Sequence, residues 1–523
     1  MRILLVRPRR LDVMTVFGQI VCEPLELEHL LPACRAFGEA QIYDGIVEGR
    51  AFTAVLREFR PDVVGITGYL TQEREMRAYA RLSRRTCPGC AVVLGGTHAQ
   101  LNYRRLYWPE VDYVFRGESV EDFSRLLAAL DRGERPAGIP GLCAREGAGF
   151  REEPYVPCDV DRLPMPDRRG WEERADWYRY LDWPRISTMK TAVSCPFSCD
   201  FCYGRGLHGG IYQARRLDLV LDELEEIPGE TVFLVDSDFL VDPARVAALL
   251  DGLEERRIRK QFICYARADF IAAHPDLTAR LCRAGFRAFL VGIEGIRDDR
   301  LKAWDKGTSR GTNETCVRIL REEGADCVAL LLADPAFRRE DFRALYRWVR
   351  DMGLRYASVQ ILTPIPPTPF YQRKRGELLS EDLRKWDLNH LLLEPEHMGR
   401  RAFLRRYRLL MARLVWLGWR RGAYRFVGPS YGAGGGGRWR GGGRPGAGDA
   451  RTPAGPDRPA PAALRNKNVR QTRTKRTKML DVEKITWYTE MLICIGTQLH
   501  PSLHADTSIT ALCDVCKGNG WMM

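Results

Sequence analysis

The stretch Cys195-Pro196-Phe197-Ser198-Cys199-Asp200-Phe201-Cys202 follows an apolar run, Ile186 to Val193, and its spacing decides how the chain is read. Three thiolates at C-x3-C-x2-C spacing hold three corners of an iron-sulfur cube and leave one iron without a protein ligand. Ordinary electron-transfer clusters close every iron with cysteine, so an open iron implies a further ligand, a substrate or a cofactor. A structural zinc site is the competing assignment, but it needs a fourth ligand, and no second Cys/His pair at finger-like spacing follows. Cys264, Cys282, Cys316 and Cys327 come later, singly, in apolar or helical contexts that suit small buried hydrophobes. Cys195, Cys199 and Cys202 are therefore the expected metal ligands.

Around this loop the chain alternates strand and helix. Strands are expected at Ile186 to Val193, Thr231 to Asp236, Phe262 to Tyr265, Ala288 to Ile293, Cys327 to Leu332 and Ala357 to Leu362, with amphipathic helices between them. Six strands with crossover helices make a partial β/α barrel, here placed at 185–369. Functional residues of barrels lie at the carboxyl ends of the strands. That rule selects the cysteine loop, Asp236-Ser237-Asp238, Arg267, Glu294 and Thr363-Pro364.

Residues 1–141 show the same alternation, with short β-branched runs at Ile3 to Val6, Asp62 to Thr67, Ala91 to Leu94 and Asp112 to Phe115. This is the pattern of a doubly wound parallel sheet, in which ligands sit outside the carboxyl ends of the strands. The loops there are Gly65 to Thr71, Gly95-Gly96-Thr97-His98 and Arg116-Gly117-Glu118. Thr67, Gly68, Tyr69, Leu70, Thr71, Gly95, Gly96, Thr97, His98, Gly117 and Glu118 are the expected ligand-contacting residues, since glycines admit a bulky flat ligand and hydroxyls and free amides can hold its side groups. A connector at 142–184 leads into the barrel.

The aromatic Phe201 completes C-x3-C-x-aromatic-C, which resembles the radical S-adenosylmethionine (radical SAM) superfamily. The ordered segments VVGITGYLTQ, VVLGGTHA and DYVFRGE, and the connector Asp159 to Pro166, resemble the cobalamin-dependent members of that superfamily. The resemblance implies a Rossmann-like cobalamin domain followed by a radical SAM domain, with a 4Fe-4S cluster, SAM and cobalamin as cofactors. It implies that Phe201, Asp236, Arg267 and Glu294 help to bind SAM, although Asp236-Ser237-Asp238 stands where Gly-Gly-Glu is common and Pro367 where glycine is usual. D-x-H-x-x-G, the source of a lower histidine ligand in other cobalamin proteins, is absent, so cobalt is expected without His98 or any other protein histidine below it.

The implied chemistry is reductive cleavage of SAM to a 5′-deoxyadenosyl radical, hydrogen abstraction from an unactivated carbon, and methyl delivery from methylcobalamin. An external donor of flavodoxin or ferredoxin type would supply the electron. The opening segment RPRRLDVMTVFGQIVCEPLELE, YARADF and WDLNHLLLEPEHM are similar to the hopanoid C-3 methylase group, which makes a hopanoid or another lipid the expected substrate class. Ring-closing and natural-product-modifying relatives are the alternative. An RNA-modifying enzyme would carry a further three-cysteine set, which is missing, and a cluster-bearing sensor gives little reason for an open iron on a barrel.

The formal charge of +13 invites a nucleic-acid reading. Its location argues otherwise for the catalytic body: between Tyr431 and Leu480 twelve basic residues face two acidic ones, a net +10. That tail, 431–523, is rich in glycine and proline and is expected to be disordered. Lysine becomes frequent after Leu464, as in a late fusion or a change of coding frame, and Cys513-x2-Cys516 and Cys87-Pro88-Gly89-Cys90 are weak zinc half-sites. The extension 370–430 ends in a helix mixing Leu, Trp and Tyr with arginines, suited to packing on the barrel or to lying on an anionic membrane surface. The short apolar start and the scattered cysteines fit a cytoplasmic protein, at most peripheral at a membrane.

Overall fold

The computed structural model describes residues 1–9 and 20–425. The 431–523 tail, Cys513 and Cys516, and Arg10 to Gln19 of the opening segment lie outside the described residues.

The first sheet has the order Glu39–Asp44, Arg2–Arg7, Val63–Ile66, Ala91–Leu94, Tyr113–Phe115, Leu142–Glu146, Gly149–Glu152. Its first five strands are parallel, and the chain reverses its direction of winding beside Arg2–Arg7. That switch point opens a crevice beyond the carboxyl ends, where Thr67 to Thr71 emerge. Ile3, Leu4, Leu5 and Val6 are all fully buried, because helices cover both faces of the sheet. The hairpin 142–152, read from sequence as connector, instead adds two antiparallel strands to this sheet.

The second sheet is six-stranded and parallel in simple sequence order: Ile186–Met189, Thr231–Leu234, Gln261–Ala266, Phe286–Glu294, Asp326–Ala333 and Tyr356–Ile361. It is the expected partial barrel. Its outer face packs on helices through Val232, Cys264, Phe289 and Leu331. Inward-facing Ile186, Phe233, Ile263, Leu290 and Val328 form a second core with Tyr178, Tyr180 and Val21. The cysteines at 264, 282, 316 and 327 are buried and free, as small hydrophobes should be.

A small antiparallel sheet ties the halves together, because Ile20–Val21 from the amino-terminal region pairs with Arg179–Tyr180, which pairs with Trp183–Pro184. Next to it, the buried Glu23 accepts hydrogen bonds from Thr188 N at 2.5 Å and Thr188 Oγ1 at 3.1 Å on the first barrel strand. Arg168 joins Glu23 to Glu223, which also holds Arg215 at 2.5 Å. Charges buried this deeply are tolerated because each has partners of opposite sign.

Candidate active site

The cysteine loop begins where the first barrel strand stops. Sequence suggests one strand to Val193, yet the ladder ends at Met189 and Ala192–Val193 turns into a separate hairpin with Gln213–Ala214. The cause is Asp236, whose buried carboxylate accepts from Thr191 N at 2.6 Å, Ala192 N at 3.1 Å and Thr191 Oγ1. These bonds pull the chain off the sheet, and Ser194 follows at φ +63°. Asp236, expected among the SAM contacts, is thus occupied in shaping the loop that carries the cysteines.

Arg267 Nη1 donates to Cys199 Sγ at 3.7 Å, and Gly204 N to Cys202 Sγ at 3.4 Å. Burial raises the Cys195 thiol, with Asp238 and Cys199 adding to it and Arg267 opposing. The three sulfurs share one loop with donors already aimed at two of them, which suits thiolate ligands; metal binding there would release protons. Among the described residues no three His, Cys or carboxylate side chains already converge on one point, so a bound cluster would draw the thiols together. Phe201 lies edge-on to Trp304 at 6.3 Å, packed against an apolar set that includes Leu332, Leu362, Phe370 and Leu393. It anchors the loop to the barrel rim.

Four charged groups surround this loop. Arg267 spends most of its donors on Asp269, at 3.0 and 2.7 Å, and on Lys306 O at 2.6 Å, and it lies 4.0 Å over the Phe197 ring. Glu294, at φ +57° beside a register shift in its strand, meets Lys306 Nζ at 3.0 Å. Burial alone would lower the Lys306 ammonium, but Glu294 and then Cys199 outweigh it and hold it above its ordinary value. Asp238 is pushed up to about 7 by burial, against the pull of the Leu240 amide, Arg267 and Lys306. Its Oδ2 is buried with no partner. Two cations and two acids in one mouth can hold a zwitterionic amino acid, its carboxylate on the cations and its ammonium on an acid. Lys306 has no motif around it that marks it in the sequence; it is one of six lysines before Leu464, and Lys302 stands four residues away.

Three of the four loop glycines, Gly68, Gly96 and Gly117, are closed by the chain's own side chains rather than left open for a flat ligand, contrary to the expectation from sequence. A Cβ on Gly96, at φ +84°, would lie 2.2 Å from Thr67 Oγ1, and one on Gly68 would meet Met76 Sδ at 2.6 Å. Gly117 is likewise closed by Tyr155 at 2.9 Å, whereas a Cβ on Gly95 meets nothing within 4 Å. The Gly95 side is therefore open toward the crevice. Thr71 Oγ1 is buried without a partner, and Tyr69 is 48% exposed. Leu70 lies in the short turn that Gln72 closes by accepting from Tyr69 N at 3.1 Å, and Thr97 begins a one-and-a-half-turn helix. The open Gly95 position, with the orphan Thr71 hydroxyl nearby in sequence, is what these loops offer to cobalamin.

His98 is buried, and its Nε2 is 3.0 Å from Glu73 Oε2. Burial raises the Glu73 carboxyl, but hydrogen bonds from His98 and Arg105 hold it below its ordinary value. Glu118 accepts from Gln100 Nε2 at 3.0 Å, and Gln100 Oε1 accepts from His208 N at 3.4 Å. The glycine loops thereby touch the segment directly after Cys202.

Residues 12–127 match the B12 binding domain family, and residues 189–349 match the radical SAM superfamily. The chain is 26% identical over 411 residues to the hopanoid C-3 methylase of Methylococcus capsulatus, covering 76% of this chain and 78% of that one. It is 24% identical to the anaerobic magnesium-protoporphyrin IX monomethyl ester cyclase of Cereibacter sphaeroides, over 67% of this chain and 59% of that one. The fold is shared with the radical S-adenosylmethionine methyltransferase TsrM of Kitasatospora setae, solved with cobalamin and a 4Fe-4S cluster bound. That likeness has a TM-score of 0.59 at 20% identity and covers 80% of this chain and 88% of that one. The two domains imply a 4Fe-4S cluster, SAM and cobalamin as the cofactors.

Proposed function

We propose, from the premise that the chain is a cobalamin-dependent radical SAM enzyme of the methylase kind, that it methylates an unactivated carbon of a hopanoid or related lipid. What supports the hopanoid reading is the 26% identity to the hopanoid C-3 methylase, and the contact of Gln100 with Glu118 and His208 sets the first domain against the segment leaving Cys202, as transfer between the two cofactor sites requires. When bound, the three cofactors supply reductive SAM cleavage, hydrogen abstraction and a methyl group for transfer.

In this reading Cys195, Cys199 and Cys202 hold the cluster. Arg267 is held beside Cys199 by the chain's own Asp269 and Phe197, so the site is organised in advance. Lys306 takes the SAM carboxylate and Asp238 or Glu294 its ammonium. Thr71 and Tyr69 hold cobalamin on the Gly95 side, and substrate lies between that face and the barrel mouth. The electron comes from a flavodoxin- or ferredoxin-type donor.

The test is anaerobic incubation of reconstituted protein with a pentacyclic hopanoid and SAM bearing a deuterated methyl. A hopanoid carrying the labelled methyl is expected. Ring closure or oxidation without label would favour the cyclase reading, which the similarity to the magnesium-protoporphyrin cyclase keeps in play.

A further inference from the structure

We propose that the Arg400–Arg420 helix docks the protein on an anionic lipid surface. One side of this helix is fixed: Phe403, Tyr407, Leu410, Leu414 and Gly418 are buried against the Arg339–Asp351 helix and the Tyr356–Ile361 strand. Tyr407 Oη donates to Val359 O at 2.9 Å, and Arg421 donates to Leu354 O and Arg350 O, both at 2.7 Å. The opposite side is therefore set in its orientation as well.

That side carries Arg401, Arg405, Leu409, Arg413, Trp416 and Arg420, all exposed. At a helical turn of 3.6 residues they fall within an arc of about 120°. Leu409 is 52% and Trp416 45% exposed. No aspartate or glutamate occurs from His397 to Ser430. Arg401 and Arg405 form no ion pair among the described residues, and the adjoining helix adds exposed Arg343 and Arg347. Arg413, 5.8 Å from the Tyr346 ring, links the two helices, and the second also exposes Glu340 and Asp351 beside its arginines, so the basic face belongs chiefly to Arg400–Arg420.

The mixture selects the occupant. Arginine heads suit lipid phosphates while their stems lie along apolar chains, and leucine and tryptophan between them suit the headgroup boundary. An acidic protein or nucleic acid would match the charge and leave Leu409 facing a polar partner. No helix among the described residues is long and apolar enough to cross a membrane, so the contact is one of lying on the surface. The inference is independent of the methylation reading.

The experiment is co-sedimentation of the full chain with phosphatidylcholine vesicles, with and without phosphatidylglycerol. Binding is expected only to the anionic vesicles. An arginine near such a surface strengthens binding by about fivefold, so Arg401→Glu with Arg405→Glu should weaken it by at least ~20-fold. Leu409→Ser with Trp416→Ser should weaken it too, with circular dichroism unchanged because both positions are exposed. No vesicle binding, equal binding to neutral vesicles, or binding that survives both double variants would overturn the proposal, the last by assigning adhesion to the carboxy-terminal segment. Binding to RNA that these variants abolish while vesicles are ignored would overturn it as well.

Discussion

Lys306 Nζ lies 3.0 Å from Glu294 Oε1, and both residues are buried at the barrel mouth although twelve positions separate them. The pair bridges the end of one strand and the turn after Trp304. Removing one partner leaves a buried charge alone, which costs about 3–5 kcal/mol. Lys306→Ala should therefore lower the urea midpoint strongly, whereas Lys306→Met combined with Glu294→Gln should recover most of the loss. An unchanged midpoint in Lys306→Ala would mean that the pair is solvated in solution.

Gly95 and Gly96 separate stability from cofactor retention. Gly96→Ala meets Thr67 Oγ1 at 2.2 Å in a left-handed backbone and should destabilise the protein by more than ~1 kcal/mol. Gly95→Ala touches nothing in the protein, so its stability should stay within about 0.5 kcal/mol of the parent. It should nonetheless retain less cobalamin on gel filtration. Full retention in Gly95→Ala would place the corrin ring elsewhere.

His29 gives the fold an acid limit. Its imidazole is lowered to about 4, by burial first, with Arg215 and Arg168 adding to this against Glu223 and the Pro164 carbonyl. The unfolded chain takes this proton near pH 6.5 and the folded chain does not. The stabilisation is thus complete above about pH 6.5 and is lost as pH falls toward about 4, by ~1.4 kcal/mol per pH unit. His29→Gln should flatten that part of a stability-versus-pH curve, and an unaltered slope would show that other groups set it.

His98 and Cys199 test the two cofactor sites separately. His98 Nε2 faces Glu73, so His98→Ala should leave the cob(II)alamin resonance spectrum unchanged and without nitrogen splitting. Cys199→Ala removes a sulfur while the Arg267–Asp269 bridge remains, so the fold should persist as iron and SAM cleavage are lost. Nitrogen splitting that vanishes in the first variant, or normal SAM cleavage in the second, would contradict these assignments.

Strands with apolar runs, such as Val63–Ile66 and Asp326–Ala333, were legible because burial on both faces demands such runs. Glu39–Asp44 and Phe52–Phe59 do not stand out in the sequence: the first is a polar edge strand, and the second is a short helix without a side-chain cap. The cysteine loop stands out by spacing alone, but the division of labour in Asp236-Ser237-Asp238 does not. Which carboxylate caps Thr191 and which is left with a free oxygen depends on where the strand end points, a property of the sheet. Glu23 and Arg168, 145 residues apart, meet only because the small antiparallel sheet brings Ile20–Val21 under the barrel.

Methyl transfer to cobalamin can be followed directly, without a substrate. Anaerobic protein reconstituted with cluster and cobalamin is reduced, mixed with SAM carrying a deuterated methyl, and its cobalamin is analysed by mass spectrometry. Labelled methyl on the cobalamin is expected, along with cleavage of SAM. Cobalamin that stays unmethylated while SAM is cleaved would contradict the methylase reading and point to ring-closing or oxidative chemistry at the same site.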